Sequence, residues 1–264
     1  MLSPAQFRKI VYVHYKRYAR SFPWRKTRDP YKILVSETML QQTGVERVVQ
    51  KYRAFLKRFP TIRALARVPL KEVLKEWQGL GYNRRAKLLR DAAKAIVAEY
   101  QGKFPKNEKI LESLPGIGPY TARAVMAFAF NKPVVFIETN IRTVFLHHFF
   151  KNRTTVSDSE ILPYMVKMLD KKNPRAWYSA LMDYGADLKK SGVQINNRSK
   201  HYSKQSKFEG STRQLRGEIL KAALTTGKVD VKKIAREAKR TSEEIRMTAE
   251  SLFREGLLGT QPYR

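Results

Sequence analysis

The sequence contains no cysteine among its 264 residues. Disulfides, thiolate zinc sites, iron–sulfur clusters and cysteine nucleophiles all need thiols, so this absence excludes all four. Histidine is also scarce, and His14, His147, His148 and His201 show no spacing typical of metal ligands. We therefore expect no catalytic metal and no metal cluster.

Acidic residues are few, and long apolar runs are missing. Lysine and arginine number 53 against 23 aspartates and glutamates, which gives a formal net charge of +30. Such an excess favours a polyanionic partner, most simply nucleic acid, with an anionic membrane surface as the alternative. No stretch reaches the roughly 20 apolar residues of a membrane span, and the N-terminus has no apolar signal core. We expect an intracellular, cytoplasmic protein.

Alternating strand patterns are missing as well, whereas apolar residues at helical spacing are abundant. Hydrophobic residues make up 42% of the chain, which predicts a packed core. The sequence therefore predicts an all-α fold. The predicted helices span residues 4–20, 31–41, 45–58, 61–66, 70–77, 82–100, 107–113, 120–130, 139–149, 158–170, 174–188, 212–224, 231–238 and 242–254.

Composition divides the chain into three parts. Residues 1–188 contain most of the predicted helices and all the motifs described below. Residues 189–210 are rich in lysine, arginine, serine and asparagine, and we interpret them as a basic linker that contacts phosphate. In residues 211–264, three short helices precede a glycine turn and an apolar pair, a pattern typical of a small winged-helix-like module. Its third helix begins with a capping-box pattern at Thr241.

The most distinctive local motif is LPGIGPYTA, residues 114–122, which lies between two predicted helices. Gly116 and Gly118 allow a tight turn whose backbone amides face outward, and the following helix N-terminus adds partial positive charge. Such a turn suits one DNA phosphate, whatever the base sequence. An ordinary helix–helix turn is the alternative.

Four further motifs accompany this turn. They are FPWR at 22–25, VSETMLQQT at 35–43, GLGY at 79–82 and LMDYGA at 181–186. In this order and at these separations, they resemble the MutY-type adenine DNA glycosylases of the helix-hairpin-helix (HhH-GPD) superfamily over roughly residues 20–188. The resemblance implies a two-lobed helix-hairpin-helix glycosylase fold. It also implies an enzyme that flips a base out of double-stranded DNA before cutting its glycosidic bond.

The resemblance assigns three catalytic roles. Glu37 matches the general acid that protonates the adenine leaving group and later handles the water; a solvated helix carboxylate is the alternative. Glu138 stands where the family has an aspartate that stabilises an oxocarbenium-like sugar, and a helix-capping carboxylate is the alternative. Tyr120 occupies the place of the lysine that forms a Schiff base in bifunctional lyases, which implies a monofunctional enzyme.

The resemblance also implies contacts with DNA. Gln42 and Tyr82 match residues that wedge into the base stack and fill the space of the flipped nucleotide, although Tyr82 could instead be a core aromatic residue. The hairpin could hold one monovalent cation besides the phosphate. The other expected DNA-binding residues are Gly116, Gly118, Thr121 and Asn140, and the expected base-pocket residues are Trp24 and Leu40.

The chain departs from the family in three respects. Glutamate replaces aspartate at position 138, and a displacement near 1 Å at a reacting centre can cost on the order of 100-fold in rate. No cysteine follows the Gly-Ala of the fourth motif, where the family binds an iron–sulfur cluster. Residues 211–264 are too few for the family's domain that reads 8-oxoguanine.

These features predict a monofunctional glycosylase that removes adenine opposite 8-oxoguanine or guanine, acts as a monomer and works at the nucleoid. One alternative is the same fold acting on thymine or uracil opposite guanine, because Tyr120 resembles those mismatch enzymes equally well. A second alternative is a non-catalytic DNA-binding protein on the glycosylase scaffold. A transcription regulator led by residues 211–264 is a third.

Overall fold

In the computed structural model, the described residues are 2–193, 195–203 and 205–259; Lys204 of the predicted linker lies outside them. These residues form fourteen α-helices and two 3-10 helices, Pro23–Lys26 and Asn196–Arg198. The all-α prediction is confirmed. The helices are α1 Pro4–Tyr18, α2 Pro30–Leu40, α3 Val45–Arg58, α4 Ile62–Arg67, α5 Leu70–Trp77, α6 Arg84–Tyr100, α7 Glu108–Ser113, α8 Pro119–Phe130, α9 Thr139–Phe149, α10 Asp158–Met168, α11 Pro174–Lys190, α12 Thr212–Thr226, α13 Val231–Ala238 and α14 Ser242–Arg254.

Local sequence signals set many helix starts. Ser3, Ser157 and Thr241 each form a capping box with a glutamine or glutamate three residues later. The box at Thr241 is the one that the sequence predicts. Pro119 and Pro174 occupy first helical positions, where proline loses no intrahelical hydrogen bond and its fixed φ suits the helix. Among the described helices, none is both long and apolar enough to cross a membrane.

The chain folds into two compact units, each assembled from separated segments. Unit 1 comprises Met1–Leu34, Lys106–Ser113 and Ile117–Lys204, and unit 2 comprises Val35–Pro105, Leu114–Gly116 and Gln205–Arg264. Each unit thus joins segments that are far apart in sequence. The predicted boundaries at residues 188 and 211 therefore stay predictions.

Unit 1 is built around α11, which packs against α9, α1 and α8. Its core is rich in aromatic side chains: Phe7 of α1 lies 5.3 Å from Phe145 and 5.8 Å from Trp177, ring centroid to ring centroid. All three residues are almost fully buried. Burial of such large apolar surfaces is the main stabilising contribution available to this unit, and it packs α9 against α1 and α11.

Unit 2 contains α3 to α6 together with α12 to α14. Phe55, Trp77 and Ile96 are fully buried, and α12 packs on α5. Leu257 and Leu258, the predicted apolar pair, are also buried. Within residues 205–259, as far as the structure describes them, the backbone forms helices and turns and no strand.

Candidate active site and nucleic-acid interface

Glu37 lies in the last turns of α2 with only 5% of its surface exposed. Its neighbours Ser36 and Thr38 are buried as well. A solvated helix carboxylate would be exposed, so that alternative is wrong. A carboxyl group that is removed from bulk water in this way can retain or release a proton according to what faces it, which general acid catalysis needs.

The two predicted wedge residues both have left-handed backbone conformations. Gln42 has φ 53° and Tyr82 has φ 47°, a region that residues other than glycine rarely adopt. Gln42 follows the end of α2 and is exposed, and Tyr82 precedes α6 and is 36% exposed. The alternative that Tyr82 is a core aromatic residue is therefore wrong. Strained backbone at two such positions indicates loops that the surrounding structure holds in place.

Arg85 fixes both loops through hydrogen bonds from its guanidinium. Its guanidinium lies in α6, and burial lowers its pKa to about 10, so it stays charged at neutral pH. One guanidinium can serve several carbonyls because it carries five N–H donors in a rigid plane. At donor–acceptor distances of 2.6–3.2 Å, its acceptors are the carbonyl oxygens of Thr38, Met39, Gln41, Leu80 and Gly81 and the Oγ1 of Thr43.

Sequence reasoning missed Arg85. Its position three residues after Tyr82 is visible in the sequence, but nothing local shows that four of its six partners lie more than 40 residues upstream. The carbonyls it binds flank both Gln42 and Tyr82, so we regard Arg85 as the residue that joins the two predicted wedge loops.

Glycine stands at the two hairpin positions for different physical reasons. Gly116 has φ +71°, and a Cβ there would lie 2.6 Å from the Cβ of Leu88, so both conformation and space require glycine. Gly118 has an ordinary φ of −83°, forms the N-cap of α8, and a Cβ there would have no neighbour within 4 Å. The tight-turn argument is confirmed for Gly116 and wrong for Gly118. At Gly118, the open space is what a ligand needs to approach the helix N-terminus.

Tyr120 and Thr121 begin α8, just after the hairpin. The Tyr120 ring is partly buried and meets Phe136 edge-on, with centroids 5.6 Å apart. Thr121 is 3% exposed. Its side chain is therefore interior, and only its backbone at the helix N-terminus remains for the predicted DNA contact.

Glu138 is the N-cap of α9. One carboxylate oxygen, Oε1, accepts a hydrogen bond from the backbone N–H of Ile141 at 2.8 Å, and Oε2 accepts one from Asn140 Nδ2 at 3.1 Å. The capping alternative is thus confirmed as geometry, and it leaves acceptor capacity on both oxygens. Asn140 holds this carboxylate, as the sequence predicts, while its contact with DNA stays a prediction.

Burial dominates the electrostatics of Glu138. It raises the pKa of the carboxyl group, and the N–H groups of Asn140 and Ile141 and the charge of Lys189 partly oppose this rise. The extra methylene of glutamate is taken up by folding the side chain back onto the first turn of α9. The carboxylate is therefore fixed in position rather than free to swing.

Gly185 of the fourth motif secures the same turn from the other side. A Cβ at this position would lie 2.0 Å from the carbonyl oxygen of Asn140, so α11 can pack on α9 only if residue 185 is glycine. The glycine in LMDYGA therefore has a packing reason that the sequence alone does not show.

Asp183, in the same motif, neutralises two arginines. Its carboxylate accepts hydrogen bonds from Arg20 Nε at 2.6 Å and from Arg25 Nη1 and Nη2 at 2.6 and 2.8 Å. Burial would raise its pKa, but hydrogen bonding and charge from Arg25 and Arg20 outweigh that effect and lower the pKa. The pairing explains why the FPWR and LMDYGA motifs accompany one another.

The two predicted base-pocket residues are each half-buried. Trp24 lies in the 3-10 helix Pro23–Lys26 and stacks on Phe22, with ring centroids 5.0 Å apart. Leu40 is the last residue of α2. Their role in a base pocket stays a prediction.

The region after α11 offers no thiol, so its donor set does not fit the family's iron–sulfur cluster. Hydrogen bonds fix this segment instead. Val156 and Ser199 form an isolated parallel bridge, and Thr143 Oγ1 donates to Asn196 Oδ1 at 2.8 Å. Much of the predicted linker is therefore ordered structure of unit 1.

Residues 35–163 match the HhH-GPD superfamily of base excision DNA repair proteins. Over these 129 of its 264 residues, the chain is similar to that superfamily. The match includes the second half of α2 with Glu37, the hairpin and Glu138, which confirms the resemblance drawn from the motifs.

Three curated relatives illustrate the similarity. Adenine DNA glycosylase of Mycolicibacterium smegmatis is 39% identical over 176 residues, 66% of this chain and 60% of that protein. Adenine DNA glycosylase of Mycobacterium tuberculosis H37Rv is 44% identical over 131 residues, 49% of this chain and 43% of that protein. Thymine/uracil-DNA glycosylase of Methanothermobacter thermautotrophicus is 36% identical over 131 residues, 49% of this chain and 59% of that protein. The chain thus spans 60% or less of the length of each of these relatives.

Solved structures agree with the fold. A thermostable thymine-DNA glycosylase superposes with a TM-score of 0.62 at 27% identity, covering 72% of this chain and 94% of that one. A non-covalent endonuclease III–DNA complex superposes with a TM-score of 0.58 at 21% identity, covering 69% of this chain and 85% of that one. The predicted helix-hairpin-helix glycosylase fold is confirmed.

Proposed function

We propose that the protein is a monofunctional DNA glycosylase that hydrolyses the N-glycosidic bond of a flipped adenine, opposite 8-oxoguanine or guanine. The observation that carries this proposal is Glu37, a buried carboxyl group within the motif VSETMLQQT. Curated relatives named adenine DNA glycosylase support the choice of base.

The chemistry needs one acid and one carboxylate. Protonated Glu37 donates its proton to a ring nitrogen of adenine while the bond from C1′ to the base breaks, so the bonding electrons leave with a neutral base. The carboxylate of Glu138 stabilises the positive charge that develops on the sugar. Water then attacks C1′ and gives a proton to Glu37, which restores the acid.

Tyr120 determines how the reaction ends. A phenol cannot form the Schiff base that a lysine would form with the sugar, so the enzyme releases an intact abasic site. The tyrosine instead orients the sugar or the attacking water. No metal or cofactor is required for these steps.

The hairpin and the wedge loops bind double-stranded DNA in this proposal. A phosphate lies at the open N-terminus of α8 beside Gly118, with room for a monovalent cation at the hairpin. Gln42 and Tyr82 enter the base stack. The net charge of +30 supplies salt-sensitive, sequence-independent affinity. We expect a monomer that works at the nucleoid in the cytoplasm.

A second candidate is removal of thymine or uracil opposite guanine. It is favoured by the 36% identity to a thymine/uracil-DNA glycosylase and by the superposition on a thymine-DNA glycosylase. Both candidates rely on Glu37 and Glu138. They differ in the contacts of the base and in the atom that faces the acid, which is a ring nitrogen in adenine and a carbonyl oxygen in thymine or uracil.

A single-turnover assay on four duplexes tests the proposal. The duplexes carry adenine opposite 8-oxoguanine, adenine opposite guanine, thymine opposite guanine or uracil opposite guanine, and alkali cleaves the abasic product. Glu37→Gln should abolish adenine release, and Glu46→Gln, which changes an exposed glutamate in α3, should not. Release of thymine or uracil alone would transfer the proposal to the second candidate. No release from any duplex, with DNA binding intact, would favour the non-catalytic alternative.

A further inference from the structure

Two side chains of the C-terminal segment bind the hydroxyl of Tyr82. Gln205 Nε2 donates to it at 2.7 Å and Arg213 Nη1 donates at 2.9 Å. We propose that Gln205 and Arg213, here called the Tyr82 clasp, are positioning residues that hold Tyr82 ready for base flipping. The clasp rests on the proposed function of Tyr82 as a wedge.

Tyr82 needs such a hold because part of its ring faces solvent. The ring is 36% exposed, and its backbone is left-handed. The guanidinium carbons of Arg85 and Arg213 lie 5.6 and 5.4 Å from its centroid, within the range of cation–π attraction. The contacts therefore restrain the ring and its hydroxyl while leaving part of the ring surface open.

The clasp is itself fixed by the helical module. Arg213 is the second residue of α12, and its Nη2 donates to the carbonyl oxygen of Ser206 at 2.6 Å. The carbonyl of Gly210 accepts from Arg240, which follows α13. Gln205 and Arg213 are thus carried by a segment whose shape depends on α12 and α13.

The directions of the hydrogen bonds favour a clasp that positions Tyr82 over one that keeps Tyr82 away from DNA. Both clasp residues donate to the phenol oxygen, so the phenol proton stays available for an acceptor on DNA. Holding a side chain in its bound conformation removes an ordering cost from the step in which it enters the duplex. The segment after residue 204 would then serve base flipping rather than sequence reading.

Stopped-flow fluorescence of 2-aminopurine next to the target adenine tests the clasp in the full chain. Arg213→Met and Tyr82→Phe should each slow flipping by about three- to tenfold, the change expected when one side chain loses its fixed conformation. The double variant should be slower than Tyr82→Phe by less than the full effect of Arg213→Met, because Arg213 acts mainly through the hydroxyl and only its contact with the ring remains. Arg236→Met, which removes one charge from the exposed surface of α13, should leave flipping unchanged.

Multiplying effects in the double variant would overturn the clasp and indicate that Arg213 contacts a phosphate directly. Faster flipping in Arg213→Met would also overturn it, because the contact would then be inhibitory. Amide hydrogen exchange of residues 205–213 gives a readout without DNA: it should rise in Tyr82→Phe, and an unchanged rate would contradict the contact. If the unmodified protein releases no base while base flipping and hydrogen exchange respond to the variants as expected, the glycosylase proposal is rejected and the clasp is retained.

Discussion

Two carboxyl groups of unit 1 have surroundings that affect their charge in opposite ways. Asp183 lies in α11, and Glu138 caps the helix turn on which α11 packs at Gly185. Asp183 accepts hydrogen bonds from two arginines, and these lower its pKa despite burial. Glu138 is held by amide N–H groups, and burial raises its pKa. A carboxylate neutralised by two guanidiniums has little capacity left to stabilise a sugar cation, whereas one held by neutral amides keeps its charge for that purpose. We therefore expect Asp183 to support folding and Glu138 to take part in the chemistry.

The largest expected effect is on stability, at Asp183. Asp183→Asn leaves Arg25 and Arg20 without a compensating charge and should lower the free energy of unfolding by about 3–5 kcal/mol. Because the folded-state pKa is depressed, the stabilisation is present above the unfolded pKa of about 4 and is lost as pH falls through the folded value. Urea unfolding of both proteins at several pH values measures this. Equal stability at neutral pH would contradict a folding role.

Gly185→Ala should have the next largest effect. The new Cβ would meet the carbonyl of Asn140, so α11 or the first turn of α9 must shift, at a cost of about 1–3 kcal/mol. Because that turn holds Glu138, adenine release should slow by more than the loss of folded protein explains. Circular dichroism melting and single-turnover rates, compared with Ala186→Gly in the same helix, separate the two effects. A Gly185→Ala variant that is less stable but releases adenine at an unchanged rate would show that Gly185 supports folding and does not position Glu138.

The hairpin glycines should respond differently to alanine. Gly116→Ala should lower the free energy of unfolding by about 1 kcal/mol or more, because it strains φ and crowds Leu88. Gly118→Ala should leave stability within about 0.5 kcal/mol. The latter variant should nevertheless weaken DNA binding, since its methyl group enters the space that we assign to a phosphate. Melting curves measure the stability of the two variants, and fluorescence anisotropy measures their DNA binding. Unimpaired DNA binding by Gly118→Ala would contradict a phosphate position beside Gly118.

The smallest expected effect is a shift in pH dependence. Lys189 lowers the pKa of Glu138, so Lys189→Met should raise that pKa further. Adenine release requires the carboxylate form of Glu138, and the acid limb of the single-turnover rate should therefore move to higher pH. Lys190→Met, at the next position of α11, is the matched control. An acid limb that moves to lower pH in Lys189→Met would reverse the assigned sign.

Much of the fold could be predicted because its signals are local. The bounds of α3, α5, α9, α13 and α14 agree with the sequence patterns residue for residue, since apolar spacing and capping residues lie within each helix. Glu37 and Glu138 could be proposed from motifs. In the sequence, the N-cap and catalytic interpretations of Glu138 are alternatives, whereas the observed cap fixes the carboxylate in place and is compatible with catalysis.

The supporting residues could not be predicted because their partners are distant in sequence. Arg25 and Asp183 are separated by 158 positions, and Gln205 and Tyr82 by 123. No periodicity or spacing within one helix connects such residues. Arg85, Asp183 and Gly185 therefore emerge only from the folded chain, although each lies within or beside a motif that the sequence displays.

The most direct test of the central claim is the single-turnover rate of adenine release by Glu138→Gln and Glu138→Asp, with urea unfolding as the control. Glutamine keeps an acceptor for the Ile141 N–H and loses only the hydrogen bond from Asn140, so the free energy of unfolding should change by about 1 kcal/mol. The rate should fall about 10²–10³-fold for glutamine, because the sugar cation loses its compensating charge, and by about tenfold or less for aspartate. A glutamine variant that is folded and releases adenine at the rate of the unmodified protein would contradict the account.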